Sequence, residues 1–351
     1  MNKHLFIFLA LLAAACTEKT EDVPAPATNI TNNDPSTTIK ALLPSGWKKM
    51  PDFNGGSRAN AISVAIGSKL YIGFGYNSNI GFGGVSNDFY EFDTSMGTWK
   101  KLENLPGEGR ANAVAFAING KIYAGLGTNY NRIDVPTIYK DFYEFDPAKN
   151  TWTKKNDLPF TPTDQPVSFV INDKGYFGTG NSPANTPNTT GRFYEYDPNT
   201  DKWKSIASIP QSRCRGMAFA IAGKAYVGGG ENDNMEKLDD FYEYDPLKNS
   251  WSLKKSLPLK VSRAAGLEAN GSGYMLGGLA TKGDFSENDI YKYNHLTDSW
   301  TKEGLMAAEN EKLAGRFYPS AVPVNSKVYL GLGSYLLEGA NLKDFYEWTV
   351  K

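Results

Sequence analysis

Histidine is almost missing from this 351-residue chain, with His4 and His295 the only two, and cysteine is as scarce, at Cys16 and Cys214. A chain this poor in imidazole cannot assemble Ser-His-Asp or Cys-His nucleophilic machinery or a histidine-based zinc site. Arginine is sparse as well, eight residues against twenty-nine lysines, and the net charge is −1. No basic run is interleaved with aromatics, which excludes a general nucleic-acid binder. The single long apolar run, Leu5 to Leu12, is too short to span a bilayer, and no later segment keeps helical spacing for long.

What is present is repetition. Tryptophan falls at positions 47, 99, 152, 203, 251 and 300, a period of about fifty residues. Tyr71, Tyr123, Tyr176, Tyr226, Tyr274 and Tyr329 keep the same beat, each closely followed by glycine, as in YIGFG, YAGLG and YVGGG. A third series reads DFYEFD (88–93), DFYEFDP (141–147), RFYEYDP (192–198), DFYEYDP (240–246), DIYKYN (289–294) and DFYEWT (344–349). A repeat of this length, in short alternating β-branched and aromatic segments, predicts a propeller or solenoid of strands.

The glycine pair, the YDP-type strand and the spaced tryptophan resemble the kelch repeat, over roughly residues 46–351 and six times. Four of the six units read Gly-x-Gly where kelch motifs usually carry adjacent glycines. The resemblance implies an all-β, six-bladed propeller with four antiparallel strands per blade. In the second unit these fall near 111–118, 121–126, 141–146 and 151–155. Two-residue turns such as Asn119-Gly120 and Ala222-Gly223 suit tight hairpins. The last unit has no room for a fourth strand, so GWKKMP (46–51) is expected to supply it and close the ring. Turn lengths are uniform at one end of the blades and variable at the other, where AAENEKL (307–313) reads as a helical turn and where function is expected.

Residues 1–15 resemble a lipoprotein signal: basic Lys3, an apolar core, then Ala13-Ala14-Ala15 before Cys16. Lipidation of Cys16, a disordered tether over 16–45 and a propeller over 46–351 are the expected organisation; the signal resembles that of exported outer-membrane lipoproteins of the cell envelope, with exposure at the cell surface as a further expectation. A monomer without cofactors is expected.

The polar pattern that stands out is arginine at the start of the innermost strand: Arg58, Arg110, Arg213, Arg263 and Arg316. Arg215 and Arg132 lie at the same end, and so does Arg192. Guanidinium groups around a channel mouth suit a carboxylate or phosphate, or else pair with Asp88, Asp141, Asp240, Asp289 and Asp344 at the head of strand three. Blade three inverts the pair, with Thr163-Asp164 in place of arginine and Arg192 in place of aspartate. Loop residues Tyr76, Asn77, Asn79, Phe82, Asn129, Tyr130, Asn131, Asn181, Asn185, Asn188, Ser334 and Tyr335 suit sugar hydroxyls or peptides. Glu231, Asp233 and Glu236 are oxygen ligands in an acidic loop without the spacing of a calcium loop, and Cys214 reads as a small packing residue.

These observations favour an anchored, non-catalytic propeller that presents its loop face to a glycan or protein, with no metal and no catalytic residue. Two alternatives stand beside it. One is a sugar epimerase or mutarotase similar to the bacterial kelch enzymes that epimerise N-acetylneuraminate, with arginines on the sugar carboxylate and Glu231 or Asp233 as acid or base. The other is a docking scaffold in a membrane complex. A copper site like that of galactose oxidase, which resembles a two-histidine arrangement, is excluded by the histidine count.

Overall fold

The structure, a computed structural model, describes residues 46–80, 84–130, 137–182, 188–280, 287–306, 315–335 and 340–350. The signal, Cys16, the tether, Phe82, Asn131, Arg132, Asn185 and the 307–313 turn lie outside the described residues.

Six four-stranded antiparallel sheets form the blades of a propeller, as the repeat predicts. Blade two comprises Val114–Ile118, Lys121–Gly125, Phe142–Asp146 and Thr151–Lys155 from the inside outward. The inner strands of neighbouring blades touch all the way round, with Ser320–Val324 of blade six against Ile62–Ile66 of blade one. The outermost strand of blade six is Trp47–Met50, paired antiparallel with Phe345–Thr349 in the register Trp47↔Trp348 and Met50↔Phe345.

Tryptophan spacing turns into a hydrogen-bonded belt around this ring. Each outer-strand indole donates to a backbone carbonyl at or just past the end of the preceding blade's outer strand, as Trp152 does to Glu103 at 2.9 Å and Trp251 to Ala207 at 2.9 Å. Trp47 donates to Leu305 of blade five and Trp99 to Pro51, so the N-terminal strand takes its turn like any other. The core lies between blades: Ile62, Tyr71 and Phe89 of blade one pack with Ile122 and Phe145 of blade two. Aromatic pairs carry much of that packing, including Trp152 on Phe89 with ring centroids 5.2 Å apart.

The Gly-x-Gly departure has a backbone cause. The middle residue is left-handed in every blade, filled by Gly229 and Gly277 in blades four and five and by Phe74, Leu126, Thr179 and Leu332 elsewhere. The residue after it is glycine in all six, at φ between +83° and +104°, and in five of them its N–H ties one blade to the next, as Gly75 donates to the Arg110 carbonyl and Gly333 to that of Arg58. A Cβ on Gly75 would stand 2.6 Å from the Ala59 carbonyl oxygen, so this position tolerates no side chain.

Variable loops on the opposite side from the tight hairpins are partly organised as two-stranded ribbons. In blade one Arg58–Ala59 pairs with Tyr76–Asn77, and in blade five Val261–Ser262 pairs with Leu279–Ala280. These ribbons fix the residues that enter the inner strands.

Candidate functional site

The ribbon pairings define which residues are equivalent. Ala59, Ala111, Asp164, Cys214, Ser262 and Phe317 each pair with the loop beyond the second strand of their own blade. The residues one step earlier are therefore Arg58, Arg110, Thr163, Arg213, Val261 and Arg316. Arg263 does not belong to this set, because Gly230 donates to Val261 just as Gly180 donates to Arg213.

Arg58, Arg110, Arg213 and Arg316 are fully buried. Each makes a two-pronged bond to the aspartate of its own blade: Arg213 Nη1 and Nη2 lie 2.7 Å from Asp240 Oδ1 and Oδ2. Arg58, Arg110 and Arg316 hold Asp88, Asp141 and Asp344 in the same way. Nη1 also donates to the carbonyl sixteen residues on, for example Arg58 to Phe74 at 2.9 Å. Aromatic rings cover three of the guanidinium groups, with Tyr139 centred 4.2 Å from that of Arg110. These four are fasteners of the fold and are corrected as ligand candidates. Thr163 takes the same carbonyl bond in blade three, to Thr179 at 2.7 Å. Arg192 is exposed and does not pair with Asp164, and Asp289 pairs with Lys302 rather than Arg263.

A second ring lies two residues further along. Asn60, Asn112, Gln165, Arg215, Arg263 and Tyr318 are all left-handed, with φ between 54° and 61°, and each stands two residues before an inner strand. Their backbones join across blades: Arg215 N–H donates to Gln165, Arg263 to Arg215 and Tyr318 to Arg263. The ring surrounds the mouth of the central channel, whose inner part is a cavity of about 340 Å³ lined by small and apolar side chains such as Ala115, Val64 and Ala321, with Glu268 on its wall.

Blades four and five place a charged cluster on this ring. Glu231, buried, accepts from Arg215 Nη1 on one oxygen; on the other it accepts from the Ser262 hydroxyl at 2.6 Å and lies 3.4 Å from Arg263 Nη2. Burial opposes its charge, but Ser262, Arg263 and Arg215 outweigh burial and hold its carboxyl below the ordinary range. Arg215 Nε donates to Gln165 at 2.6 Å, and Arg263 Nε to the Tyr318 hydroxyl at 3.1 Å. Burial pushes the Tyr318 phenol up to about 12 against the pull of both arginines. Arg215 Nη2 and Arg263 Nη1 have no hydrogen-bond partner among the described residues, while their side chains keep 17% and 19% exposure. Two guanidinium charges face one carboxylate, leaving one positive charge and free donors for an anion.

Blades one to three supply the other side of the mouth. Asp164 is fully buried and accepts from Asn112 at 2.7 Å, from Thr128 at 2.9 Å and from the Tyr130 hydroxyl. Asn60 donates in turn to Asn112, and the Tyr76 ring lies 6.3 Å from that of Tyr130.

Of the residues singled out from sequence, the structure thus brings together Arg215, Arg263, Glu231, Tyr76 and Tyr130. It separates others from them. Asn129 is buried in a ribbon, Tyr335 is half-buried in another, and exposed Asp233 caps the Thr189 N–H of the neighbouring blade. Cys214 is buried, which pushes its thiol up to about 11 despite Arg215 nearby. Among the described residues no group of three or more His, Cys, Asp or Glu is placed to hold a metal ion. Asn60, Asn112, Asp164, Gln165, Ser262 and Tyr318 were not among the sequence candidates for the site. Counting two residues back from each inner strand would have found the left-handed ring.

Comparison with known proteins follows the same lines. Residues 57–106 match the family model described as Kelch motif. The chain is 34% identical over 191 residues to N-acetylneuraminate epimerase of Pasteurella multocida (strain Pm70), covering 54% of this chain and 44% of that enzyme. It is 29% identical over 186 residues to N-acetylneuraminate epimerase 1 of Escherichia coli O6:H1, covering 43% of this chain and 50% of the relative. The chain thus spans about half the length of the curated relatives it matches. The solved structure of YjhT superimposes with a TM-score of 0.72 at 20% identity, over 86% of this chain and 97% of that one. The chain folds as a six-bladed β-propeller and carries a Kelch motif over residues 57–106. The expectation of a non-catalytic binding propeller is overturned, because the relatives it matches are named as enzymes.

Proposed function

We propose that the protein is a mutarotase, exchanging the anomers of an acidic sugar of the N-acetylneuraminate type. The observation that carries this reading is the Arg215–Glu231–Arg263 cluster at a channel mouth, which itself carries one net positive charge and has two guanidinium nitrogens without a hydrogen-bond partner among the described residues. The similarity to N-acetylneuraminate epimerases supports the same substrate class. In such a sugar the carboxylate sits on the anomeric carbon itself. Anchoring it on Arg215 and Arg263 therefore fixes the reacting carbon at the mouth.

Glu231 is not the base in this reading. Both of its oxygens are occupied and it is 2% exposed, so it orients the two arginines and stays ionised. Anomer exchange needs only that a proton leave the anomeric hydroxyl, the ring C–O bond open to a ketone, and the ring oxygen be protonated, followed by closure on the other face. No redox step or histidine is involved.

The test is exchange NMR on the anomers of N-acetylneuraminate and of its methyl ester. Faster exchange of the acid, with the ester left at its buffer rate, is the expected result; equal rates with and without protein for both would reject the reading. The same proposal takes residues 1–15 as a cleaved signal and Cys16 as a lipid-bearing anchor in the cell envelope, which mass spectrometry of the mature N-terminus tests.

A further inference from the structure

The mouth holds a second carboxylate whose setting differs from that of Glu231. Asp164 is fully buried, and no cation pairs with it among the described residues. Folding does not require a carboxyl there, since the equivalent positions carry Ala59, Ala111, Cys214, Ser262 and Phe317. An unpaired buried carboxylate is a standing cost to the fold, of the kind that active sites retain.

Its hydrogen bonds are arranged asymmetrically. Oδ1 takes two donors, Asn112 Nδ2 and Thr128 Oγ1, whereas Oδ2 is held by the Tyr130 hydroxyl alone. Tyr130 is 39% exposed, so it links a carboxyl sealed from water to the open mouth. We propose that Tyr130 and Asp164 are the proton-transfer pair of this site, Tyr130 touching the anomeric oxygens and Asp164 acting behind it. This rests on the mutarotase reading and adds the groups that move the proton.

The step balances without a co-reactant. The Tyr130 oxygen takes the proton of the anomeric hydroxyl while its own proton passes to Asp164 Oδ2. The anomeric oxygen becomes a carbonyl as the bond to the ring oxygen breaks, and the electron pair goes to the ring oxygen. That oxygen then takes a proton from Tyr130, which recovers one from Asp164. Both oxygens belong to the same carbon, so a single phenol serves both, and rotation followed by the reverse sequence closes the other anomer. Relay through a neutral phenol fits the environment, because burial and Asp164 together push the Tyr130 phenol up and disfavour a free phenolate. Burial likewise raises the Asp164 carboxyl, against the hydrogen bonds of Tyr130, Thr128 and Asn112 and the more distant charge of Arg215. Among the described residues Asp164 also acts electrostatically on Tyr76 and Cys214.

The experiment compares wild type, Tyr130→Phe and Asp164→Asn as full chains, by exchange NMR on N-acetylneuraminate between the ordinary carboxylate range and neutral pH. Tyr130→Phe should lower kcat by about a hundredfold or more, with KM within about twofold and the protein still folded at a somewhat lower melting temperature. In wild type the rate should fall with pH as Asp164 takes a proton; Asp164→Asn should be slow throughout and lose that acid limb. An active wild type with an equally active Tyr130→Phe would overturn the relay alone. A rise in KM at constant kcat would overturn it too, making Tyr130 only a binding contact. An inactive wild type would overturn the mutarotase reading and the relay with it. If Asp164→Asn does not fold, Tyr130→Phe decides the matter.

Discussion

Arg213 and Arg215 are two residues apart and do opposite things. Arg213 is sealed under the Tyr242 ring and fixed on Asp240, whereas Arg215 sits on the open ring and shares Glu231 with Arg263. The left-handed backbone at Arg215 turns its side chain out of the blade-internal position that Arg213 fills. Residue type therefore does not assign function around this channel. What assigns it is the backbone position, one step before the ribbon pair or one step after it.

Breaking the frame that supports both rings should have the largest effect. Removing residues 46–51 strips the outer strand from blade six, and the lost burial of Trp47 and Met50 alone costs about 3–6 kcal/mol. Thermal and urea unfolding should both shift sharply to lower stability. Next comes Arg213→Ala, which leaves the Asp240 carboxylate without its partner. It should cost about 3–5 kcal/mol in urea unfolding, since a single ammonium cannot reproduce the two-pronged bond.

Arg215→Ala should invert that result. Stability should fall by about 1–3 kcal/mol, since Glu231 keeps Ser262 and Arg263, while anomer exchange should fall by about a hundredfold. Equal stability losses for Arg213→Ala and Arg215→Ala would erase the distinction between the rings.

The smallest effect separates the two carboxylates by the sign of their pH dependence. Glu231 is held below its ordinary range in the fold, so its contribution is present above the unfolded value and is lost as pH falls through the folded one. Asp164 is raised, so the fold binds its proton more tightly than the unfolded chain, and its contribution fades as pH rises through the folded value. Glu231→Gln should therefore be destabilised most near neutral pH and least in acid. Asp164→Asn should gain relative stability as pH rises. Paired melting curves across the acid range check both signs.

The architecture was legible because it is periodic: tryptophan, tyrosine and DFYEFD recur at fixed spacing, and the six sheets and the closing strand follow from that beat. The site was legible only in part, because it breaks the period. Arg263-Ala264 looks like Arg58-Ala59 and Arg110-Ala111, yet the backbone places Val261-Ser262 at that position. Asp164 read as the swapped partner of Arg192, whereas blade three satisfies the ring with Thr163 and sends Asp164 to Tyr130. Hydrogen-bond register, which residue type does not encode, made both differences. Arg215, Glu231, Tyr76 and Tyr130 were visible as chemistry, but their convergence from separate blades needed the closed ring.

The central claim is that the mouth ring, and not the buried arginines or the channel below, takes the sugar. A crystal structure of the protein with N-acetylneuraminate tests it most directly. The expected result is the sugar carboxylate on the Arg215 and Arg263 guanidinium groups with the anomeric oxygens at the Tyr130 hydroxyl. Sugar bound in the cavity beside Glu268, or away from Arg215 on the outer face, would contradict it.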